Sequence, residues 1–341
     1  MRWREAWTGG QYSVVRALAG GSLALLLTVS AFAASPFDSL ALALAGFCLF
    51  IAAGIGSLER FLTSIVATAV AFEATNLSNS AQQYLALWLS AHVMMRRAPY
   101  LSLAARKREY PAGGWSMPAW YVTGCWTVFL VSRAVAGFHA ANAGQTLLAG
   151  IFFFIAALGL FRPVALAAWF LSLLVGLVLA GLGSGSFSAA WFLHLFAFQP
   201  AWLPRSDPRS ATVFYDGSCG LCHGAVRFLL AEDRFPPVFR IAPLGGETWQ
   251  REVSESLRAA VPDSVVVVRG NDLLVRSSAT IAILEGLGGI WAAIGAILDL
   301  LPRTLLDRAY DWIAANRYRC FGRRSSSCPL MPATLRTRLD P

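Results

Sequence analysis

Residues 211–223 read "ATVFYDGSCGLCH", and this stretch decides how the second half of the chain is interpreted. The β-branched and aromatic run Ala211–Tyr215 ends at Asp-Gly, which predicts a strand followed by a turn. Apolar residues then recur at helical spacing and predict a helix from about Cys219 to Glu232. Two cysteines separated by two residues therefore lie where a strand passes into a helix.

The motif Cys219-Gly-Leu-Cys222-His223 is compatible with three kinds of site: a c-type haem attachment peptide, a redox dithiol and half of a zinc site. A helix N-terminus carries partial positive charge, which favours the reactive thiolate over the thiol. We therefore expect Cys219 to be the nucleophile of a dithiol. Cys222, one turn further on, is expected to be the resolving thiol.

Two neighbours of the cysteines have alternative roles. Asp216 is expected either to shuttle the proton of the resolving thiol or to act as a turn residue or helix cap. His223 is expected to be a solvated helix residue, although its charge would tune the thiolates.

The haem and zinc interpretations lack partners in the sequence. Haem attachment takes place outside the cytoplasm, and the soluble half offers Met331 but no second histidine as a distal ligand. Cys320 and Cys328 enclose seven residues, a spacing unlike that of a zinc knuckle. We therefore predict no metal ligands and favour a redox dithiol beside a β-α-β pattern.

The rest of the second half continues to alternate between strands and helices. The predicted elements are a strand in "PPVFRIAPL" (236–244), a helix at 247–260, a hairpin in "SVVVVRGNDLLVRS" (264–277) turning at Gly270-Asn271, and a helix at 279–287. This β-α-β-α-β-β-α order predicts a thioredoxin-like α/β fold. Further helices near 289–301 and 304–317 are expected to cover the fold or to lie on a membrane.

Composition separates the first half from the second. The 341 residues are 56% apolar and 14% charged, with a mean hydropathy of +0.55, whereas soluble proteins carry about 25% charged residues. Residues 1–200 contain 16 Lys, Arg, Asp and Glu against 31 in residues 201–341. We therefore predict an α-helical polytopic membrane bundle of about eight spans in residues 1–204. A soluble redox domain follows in residues 211–331.

The distribution of positive charge predicts the orientation of the bundle. The net charge is +9, and the basic residues are almost all arginines in short loops. They form no basic stripe with interleaved aromatic residues, so nucleic-acid binding is not expected. With the N-terminus inside, the predicted outside loops "SPFD", "EATNLSNSAQQ", "AANAG" and "GLGSGS" contain no Lys or Arg. This pattern predicts a multi-pass protein of a bacterial-type inner membrane. Its N-terminus and its C-terminal redox domain would both face the cytoplasm.

Ionisable residues within the predicted spans indicate either structural pairing or a site. Arg133 is expected to pair with Glu73, to extend towards the bilayer surface, or to line a cavity together with His139. Such a cavity would bind a polar head such as a quinone carbonyl. The sequence establishes no cofactor with certainty, and a quinone is the candidate that this cavity would admit.

The first half resembles a family of membrane proteins. The runs "MPAWYVTGCWTVFLVSRAVAGFHAANAGQ" (117–145) and "SAAWFLHLFAFQPAWLP" (188–204) resemble the HTTM module related to vitamin K-dependent γ-carboxylase, and also DoxX-like redox proteins. The carboxylase carries its catalytic lysine in the stretch that corresponds to Gly137–Ala140, whereas the only lysine of this chain is Lys107. The resemblance therefore implies affinity for quinone-like molecules rather than carboxylation.

The second half resembles the DCC family of thiol-disulfide oxidoreductases. The resemblance covers about residues 211–331 and is carried by "VFYDGSCGLC" (213–222), "RSSATIAILEGLGGIW" (276–291), "LLPRTLLDRAYDWIAANRYRCFGR" (300–323) and Cys328-Pro329. It implies a thioredoxin-like fold in which Asp216, Cys219 and Cys222 form the redox motif. Cys328 would be a further cysteine of the family pattern.

These observations favour a membrane-anchored thiol-disulfide oxidoreductase that acts on a protein or small-molecule thiol or disulfide. One alternative is a redox-sensing or partner-binding module that regulates a membrane transporter or scaffold. A haem-bearing electron-transfer protein is the other. The sequence leaves the oligomeric state open.

Overall fold

A computed structural model describes residues 7–18, 20–21, 99–106, 108–115, 117, 143–159, 161, 164–181, 198–203, 205, 210–233, 237–323 and 338–340. The chain divides into two compact units. The first unit is Met1–Trp7, Tyr12–Arg106 and Trp115–Trp202, and the second is Thr8–Gln11, Lys107–Gly114 and Leu203–Pro341. Residues 9–18 are helical.

The first unit contains two apolar helices, α1 (Ala143–Leu158) and α2 (Ala165–Gly181). Large apolar side chains on them are exposed, among them Leu147 at 66% and Phe154 at 65%. In the described part of the chain, no helix taken singly has the length and apolar character needed to cross a membrane. Among the helices that the structure describes, Gly289–Asp299 and Arg303–Phe321 meet that standard as a pair, with a bend of 115° between them. The remaining predicted spans, with Arg133 and His139, lie outside the described residues.

The second unit is an α/β domain. Its strands are β1 (Ala211–Tyr215), β2 (Phe239–Pro243), β3 (Val266–Arg269) and β4 (Asp272–Val275). Its helices are α3 (Gly220–Glu232), α4 (Glu247–Glu252), α5 (Glu255–Ala260), α6 (Arg276–Leu287), α7 (Gly289–Asp299) and α8 (Arg303–Phe321). The mixed sheet has the order β2-β1-β3-β4, with β1 parallel to β2 and the other pairs antiparallel. This architecture fits the predicted thioredoxin-like fold.

Strand β1 lies inside the sheet, and all five of its residues are buried. Its β-branched and aromatic side chains suit a pleated surface that is covered on both faces. On one face the Phe214 ring packs edge-on against Trp249, with ring centroids 4.9 Å apart. The other buried members of this cluster are Ala242, Val253 and Val266.

Helices α3 and α6 cover the other face of the sheet. The Tyr215 ring meets the His223 ring of α3 edge-on, with centroids 6.1 Å apart. Gly286 of α6 lies so close to Phe239 that an added Cβ would be 2.5 Å from the ring. The Tyr215 contact fixes the carboxyl end of β1, where the turn leading into α3 begins. The Phe239 contact lies beside the amino end of β1, because Phe239 pairs with Ala211.

The far end of α3 is anchored by two buried carboxylates. Glu232 accepts hydrogen bonds from Trp291 Nε1 at 2.7 Å and from the Gly10 backbone N–H at 2.8 Å. Asp233 accepts one from the Phe239 N–H at 3.0 Å. Buried carboxylates are costly unless they are paired in this way. The anchor therefore holds the helix that carries the two cysteines.

The single helix predicted at 247–260 is wrong. Two short helices, α4 and α5, replace it and are separated at Val253-Ser254. Val253 has an extended backbone (φ −120°, ψ 125°) and is buried in the Phe214 cluster. The chain leaves the helical conformation here and buries this side chain in the core.

The predicted hairpin is confirmed, because β3 and β4 pair on either side of Gly270-Asn271. Gly270 has φ +60°, which glycine adopts readily and which two-residue hairpin turns require. The neighbouring helices are longer than predicted. Helix α6 begins at Arg276 rather than at 279, and α8 continues to Phe321 rather than ending at 317.

Candidate active site

The two cysteines lie at the start of α3. Cys219 precedes the helix with an extended backbone (φ −97°, ψ 124°), and its Sγ accepts a hydrogen bond from the Cys222 N–H at 3.4 Å. The first N–H groups of a helix have no partner within the helix, so a side chain at this position caps them. The Cys219 sulfur therefore occupies a place where the helix N-terminus attracts negative charge.

Asp216 builds the turn between β1 and the cysteines. Its Oδ1 accepts hydrogen bonds from the Ser218 N–H at 2.8 Å and from the Ser218 hydroxyl at 2.7 Å. The Asp216 carbonyl accepts the Cys219 N–H at 3.3 Å. These bonds confirm the expected alternative in which Asp216 acts as a turn residue.

The other oxygen of Asp216 is held by two residues of α8. Arg317 donates to Oδ2 at 3.1 Å, and the Tyr318 hydroxyl donates to the same atom. The Arg317 side chain is only 6% exposed, and it also bonds both oxygens of Asp263, at 2.8 and 2.9 Å. Its guanidinium lies 4.6 Å from the centre of the Tyr318 ring. Asp216 is thus connected to a charged network beside the cysteines.

This network determines the charge of Asp216. Burial alone would raise the pKa of the carboxyl, but hydrogen bonds from Tyr318, Ser218 and Arg317 outweigh that effect and lower the pKa to about 2. Asp216 is therefore a carboxylate at neutral pH. Asp263 raises the pKa of Arg317 against the opposing effect of burial, so the guanidinium stays charged.

Cys222 has the opposite electrostatic setting. Burial raises the pKa of its thiol, and the hydrogen bond and negative charge of Cys219 raise it further. Asp216 acts in both directions, because its backbone hydrogen bond lowers this pKa and the charge of its carboxylate raises it. The resulting pKa is about 12. Cys222 is therefore a protonated thiol at neutral pH, which agrees with the expected resolving role.

Cys219 is completely buried, with 0% of its surface exposed. The segment Gly322-Arg323, which follows α8 and which we call the strap, pairs with the backbone at this position. Cys219 and Arg323 form an antiparallel bridge, and the Gly220 N–H donates to the Gly322 carbonyl at 3.2 Å. A Cβ added at Gly220 would lie 2.2 Å from the Phe321 carbonyl oxygen. Only glycine at this position allows the covering backbone to approach so closely.

The expectation that His223 is solvated is wrong. Its side chain packs beneath the Asp216 turn and its residue is 4% exposed. The ring Nε2 lies 2.7 Å from the Gly217 carbonyl oxygen and donates to it. His223 therefore stabilises the turn from inside, because helix α3 presents this residue to the sheet beside Tyr215.

The structure brings together Asp216, Cys219 and Cys222, the three residues predicted to form the dithiol site. Cys320 is exposed near the end of α8. The other predicted site residues, Arg133, His139 and Cys328, lie outside the described residues. Within the described ranges, no three His, Cys, Asp or Glu side chains lie close enough together to hold a metal ion.

Sequence reasoning missed the contribution of α8 and of the strap. Both lie in "NRYRCFGR" (316–323), a segment noted only for its family resemblance. Arg317 contacts Asp216 across 101 positions of sequence. No local spacing predicts such a pair, although the residues of this motif mark where to look.

Comparison with known proteins places the second unit among thiol-disulfide oxidoreductases. Residues 213–323 match the model of a family described as DCC1-like thiol-disulfide oxidoreductase. The chain is 30% identical over 130 residues to the uncharacterized protein YuxK of Bacillus subtilis (strain 168), covering 38% of this chain and 93% of that protein. It is 33% identical over 127 residues to the DCC family protein At1g52590, chloroplastic, of Arabidopsis thaliana, covering 36% of this chain and 72% of that protein. No solved structure matches the chain significantly.

Proposed function

Because the chain belongs to the DCC1-like family of thiol-disulfide oxidoreductases, we propose that Cys219 and Cys222 perform dithiol–disulfide exchange. The observation that carries this proposal is the position of Cys219 as the cap of α3, where its sulfur accepts the Cys222 N–H. A protonated Cys222 one turn away suits the resolving step, because it stays inactive until Cys219 is bound to a substrate.

The proposed reaction balances in two steps. The Cys219 thiolate attacks one sulfur of a substrate disulfide, a new S–S bond forms, and the other substrate sulfur leaves as a thiolate and takes up a proton. Cys222 then loses its proton and bonds to the Cys219 sulfur, the mixed disulfide breaks, and the first substrate sulfur leaves as a thiolate that takes up the equivalent of the proton released by Cys222. The dithiol is oxidised to a disulfide while the substrate is reduced to two thiols, and the reverse reaction follows the same steps.

In this reaction scheme, Asp216 acts as a fixed negative charge beside the cysteines. A carboxyl with a pKa of about 2 is a weak base at neutral pH, so in this arrangement Asp216 holds charge rather than protons. A shuttle role needs the hydrogen bonds from Tyr318 and Arg317 to open before the resolving step. The shuttle therefore remains a prediction tied to movement of α8.

The test compares single cysteine variants of the full chain. The substrate is a disulfide-bridged peptide, and dithiothreitol is the reductant that returns the enzyme to the dithiol. Cys219→Ser should lose catalysed reduction and Cys222→Ser should lose most of it. Cys320→Ser, at an exposed cysteine, should keep the wild-type rate. A Cys219→Ser chain that reduces the peptide at the wild-type rate would overturn the proposal.

A redox sensor is the second candidate function, and the complete burial of Cys219 favours it. A sensor changes oxidation state once for each stimulus, whereas an enzyme converts many substrate molecules. The same assay with excess peptide and dithiothreitol separates the two. An enzyme accelerates the reduction of many equivalents of peptide, whereas beyond its first equivalent a sensor adds nothing to the rate of reduction by dithiothreitol alone.

We also propose that residues 1–204 anchor the protein in a membrane and that a quinone exchanges electrons with the dithiol. Anchoring is supported by the composition and by the exposed apolar side chains of α1 and α2. The quinone cavity rests on Arg133 and His139 in the sequence. Arg133→Gln should abolish oxidation of the dithiol by a quinone analogue while leaving peptide reduction unchanged, and equal quinone oxidation in both chains would reject the cavity.

A further inference from the structure

The strap pairs with a cysteine that has to react with substrate. A nucleophile has to reach its substrate, yet Cys219 is 0% exposed and the covering backbone pairs with Cys219 itself. The strap therefore lies against the backbone of the residue that carries the sulfur. Any substrate that reacts with Cys219 has to displace it.

We propose that the strap, Gly322-Arg323, determines the substrate class of the site: it holds the backbone position that an extended polypeptide takes beside Cys219, and it keeps small disulfides away from the sulfur. This inference rests on the proposed exchange function. It deepens that function by naming polypeptide disulfides as the substrates.

The pairing itself indicates what replaces the strap. When the strap leaves, the Gly220 N–H loses its partner, the Gly322 carbonyl. Unpaired backbone donors that are shielded from water are costly, and an extended peptide supplies a carbonyl at the same place. A small disulfide without peptide groups supplies none. The Gly220 N–H, which bonds the strap in the closed site, therefore favours polypeptide substrates over small ones.

Among the described residues, the strap is held by backbone hydrogen bonds and a cation–π contact that are individually weak, so displacement is feasible. The Gly322 N–H donates to the Tyr318 carbonyl at 3.0 Å, and Gly322 has φ +73°, a conformation that suits glycine and turns the chain back from α8. The Arg323 guanidinium lies 4.7 Å from the centre of the Tyr318 ring. This cation–π contact ties the strap to the residue that also holds Asp216.

Gly220→Ala in the full chain tests the proposal. The added Cβ would lie 2.2 Å from the Phe321 carbonyl oxygen, so the strap has to move away. Gly224→Ala on the same helix is the matched control, because its Cβ would meet nothing within 4 Å. The readouts are alkylation of Cys219 by iodoacetamide, followed by mass spectrometry, and the rates of reduction of 2-hydroxyethyl disulfide and of a disulfide-bridged peptide.

Gly220→Ala should raise both the rate of Cys219 alkylation and the rate of reduction of 2-hydroxyethyl disulfide by about tenfold. This is roughly the effect expected when the closed position of the strap loses the stabilisation of one hydrogen bond. Its preference for the peptide should fall, and Gly224→Ala should match the wild type. Equal alkylation and equal preference in the two folded variants would overturn the proposal.

A second variant covers the case in which Gly220→Ala does not fold. Arg323→Ala removes the cation–π contact of the exposed strap arginine and should also raise alkylation, whereas Arg319→Ala, at an exposed arginine of α8, should not. Equal alkylation of these two chains would then reject the strap. Alkylation does not require exchange activity. A chain whose alkylation responds as expected but which reduces neither disulfide would reject the proposed function and leave the closure by the strap standing.

Discussion

Asp216 receives hydrogen bonds on both carboxylate oxygens, and the two sets differ in how far they reach along the chain. The bonds from Ser218 are local, and an Asp-Gly turn signal predicts them. The bonds from Arg317 and Tyr318 depend on where α8 packs, so the sequence pattern around Asp216 contains no sign of them. Together they keep a fixed negative charge beside the Cys222 thiol.

Tyr318→Phe tests the hydrogen bond from the Tyr318 hydroxyl to the Asp216 carboxylate. The pKa of Asp216 is lowered in the folded protein from 3.8 to about 2, so its charge stabilises the fold above about pH 4 and this stabilisation is lost as the pH falls towards 2. Removing the hydroxyl should raise the pKa of Asp216 and lower the free energy of unfolding at pH 7 by about 1 kcal/mol. It should also reduce the loss of stability between pH 4 and pH 2.

Denaturant unfolding of the full chain at several pH values, followed by circular dichroism, measures this effect. Tyr110→Phe, at a tyrosine that is 40% exposed, is the matched control and should leave the pH dependence unchanged. Identical acid profiles for Tyr318→Phe and the wild type would contradict the hold on Asp216.

The raised pKa of Cys222 predicts low reactivity towards alkylating agents. A pKa of about 12, against an ordinary value of 9.0, leaves little thiolate at pH 8. Cys222 should therefore react with iodoacetamide about two to three orders of magnitude more slowly than the exposed Cys320 of the same chain. Mass spectrometry of peptides from a reduced sample compares the two sites directly, and similar rates would refute the assigned protonation state.

At the scale of elements, α8 organises the domain. Its first half reaches α6, because Asp307 Oδ1 accepts the Ser277 N–H at 3.3 Å and also the Ser277 hydroxyl. The residue before α6, Val275, has no side chain able to cap the helix. A cap supplied by another helix explains why α6 begins earlier than its own sequence predicts.

Asp307→Ala should therefore lower the free energy of unfolding by about 1–2 kcal/mol, the usual cost of losing a helix cap. Asp311→Ala is the control, since Asp311 makes only an exposed ion pair with Arg276 at 3.1 Å. It should cost less than about 0.5 kcal/mol. Equal losses for the two variants in denaturant unfolding would show that Asp307 does not cap α6.

The elements that sequence reasoning predicted correctly depend on neighbouring residues. The hairpin follows from alternating side chains around Gly270-Asn271, and the helix α3 follows from apolar spacing after a turn signal. The break at Val253 depends on the core cluster that distant strands form around Phe214, so helical periodicity could not predict it. Local chemistry thus located the dithiol, whereas tertiary packing determined what covers it.

At the scale of the whole molecule, the chain consists of two units of different character. Large apolar side chains on α1 and α2 are exposed, and they support our proposal of a membrane anchor in the first unit. The charged network at Asp216 belongs to the second. The proposed orientation makes the two parts a membrane anchor and a cytoplasmic redox domain.

Cys320 provides the test of that orientation, because it is exposed whereas Cys219 is buried. A full-length chain that retains Cys320 as its only cysteine is treated with a membrane-impermeant maleimide in intact cells. We expect labelling only after the membrane is permeabilised. Labelling of intact cells would place the domain on the outer side.

The central claim is that Cys219 attacks the substrate and Cys222 releases it. The most direct measurement is trapping of the mixed disulfide with the full chain, a disulfide-bridged peptide and non-reducing mass spectrometry. Cys222→Ser should accumulate peptide bonded to Cys219, the wild type should accumulate only the Cys219–Cys222 disulfide, and Cys219→Ser should trap nothing at position 222. The opposite result would contradict this order of attack: the peptide would be bonded to Cys222 in the Cys219→Ser chain, and none would be bonded to Cys219 in the Cys222→Ser chain.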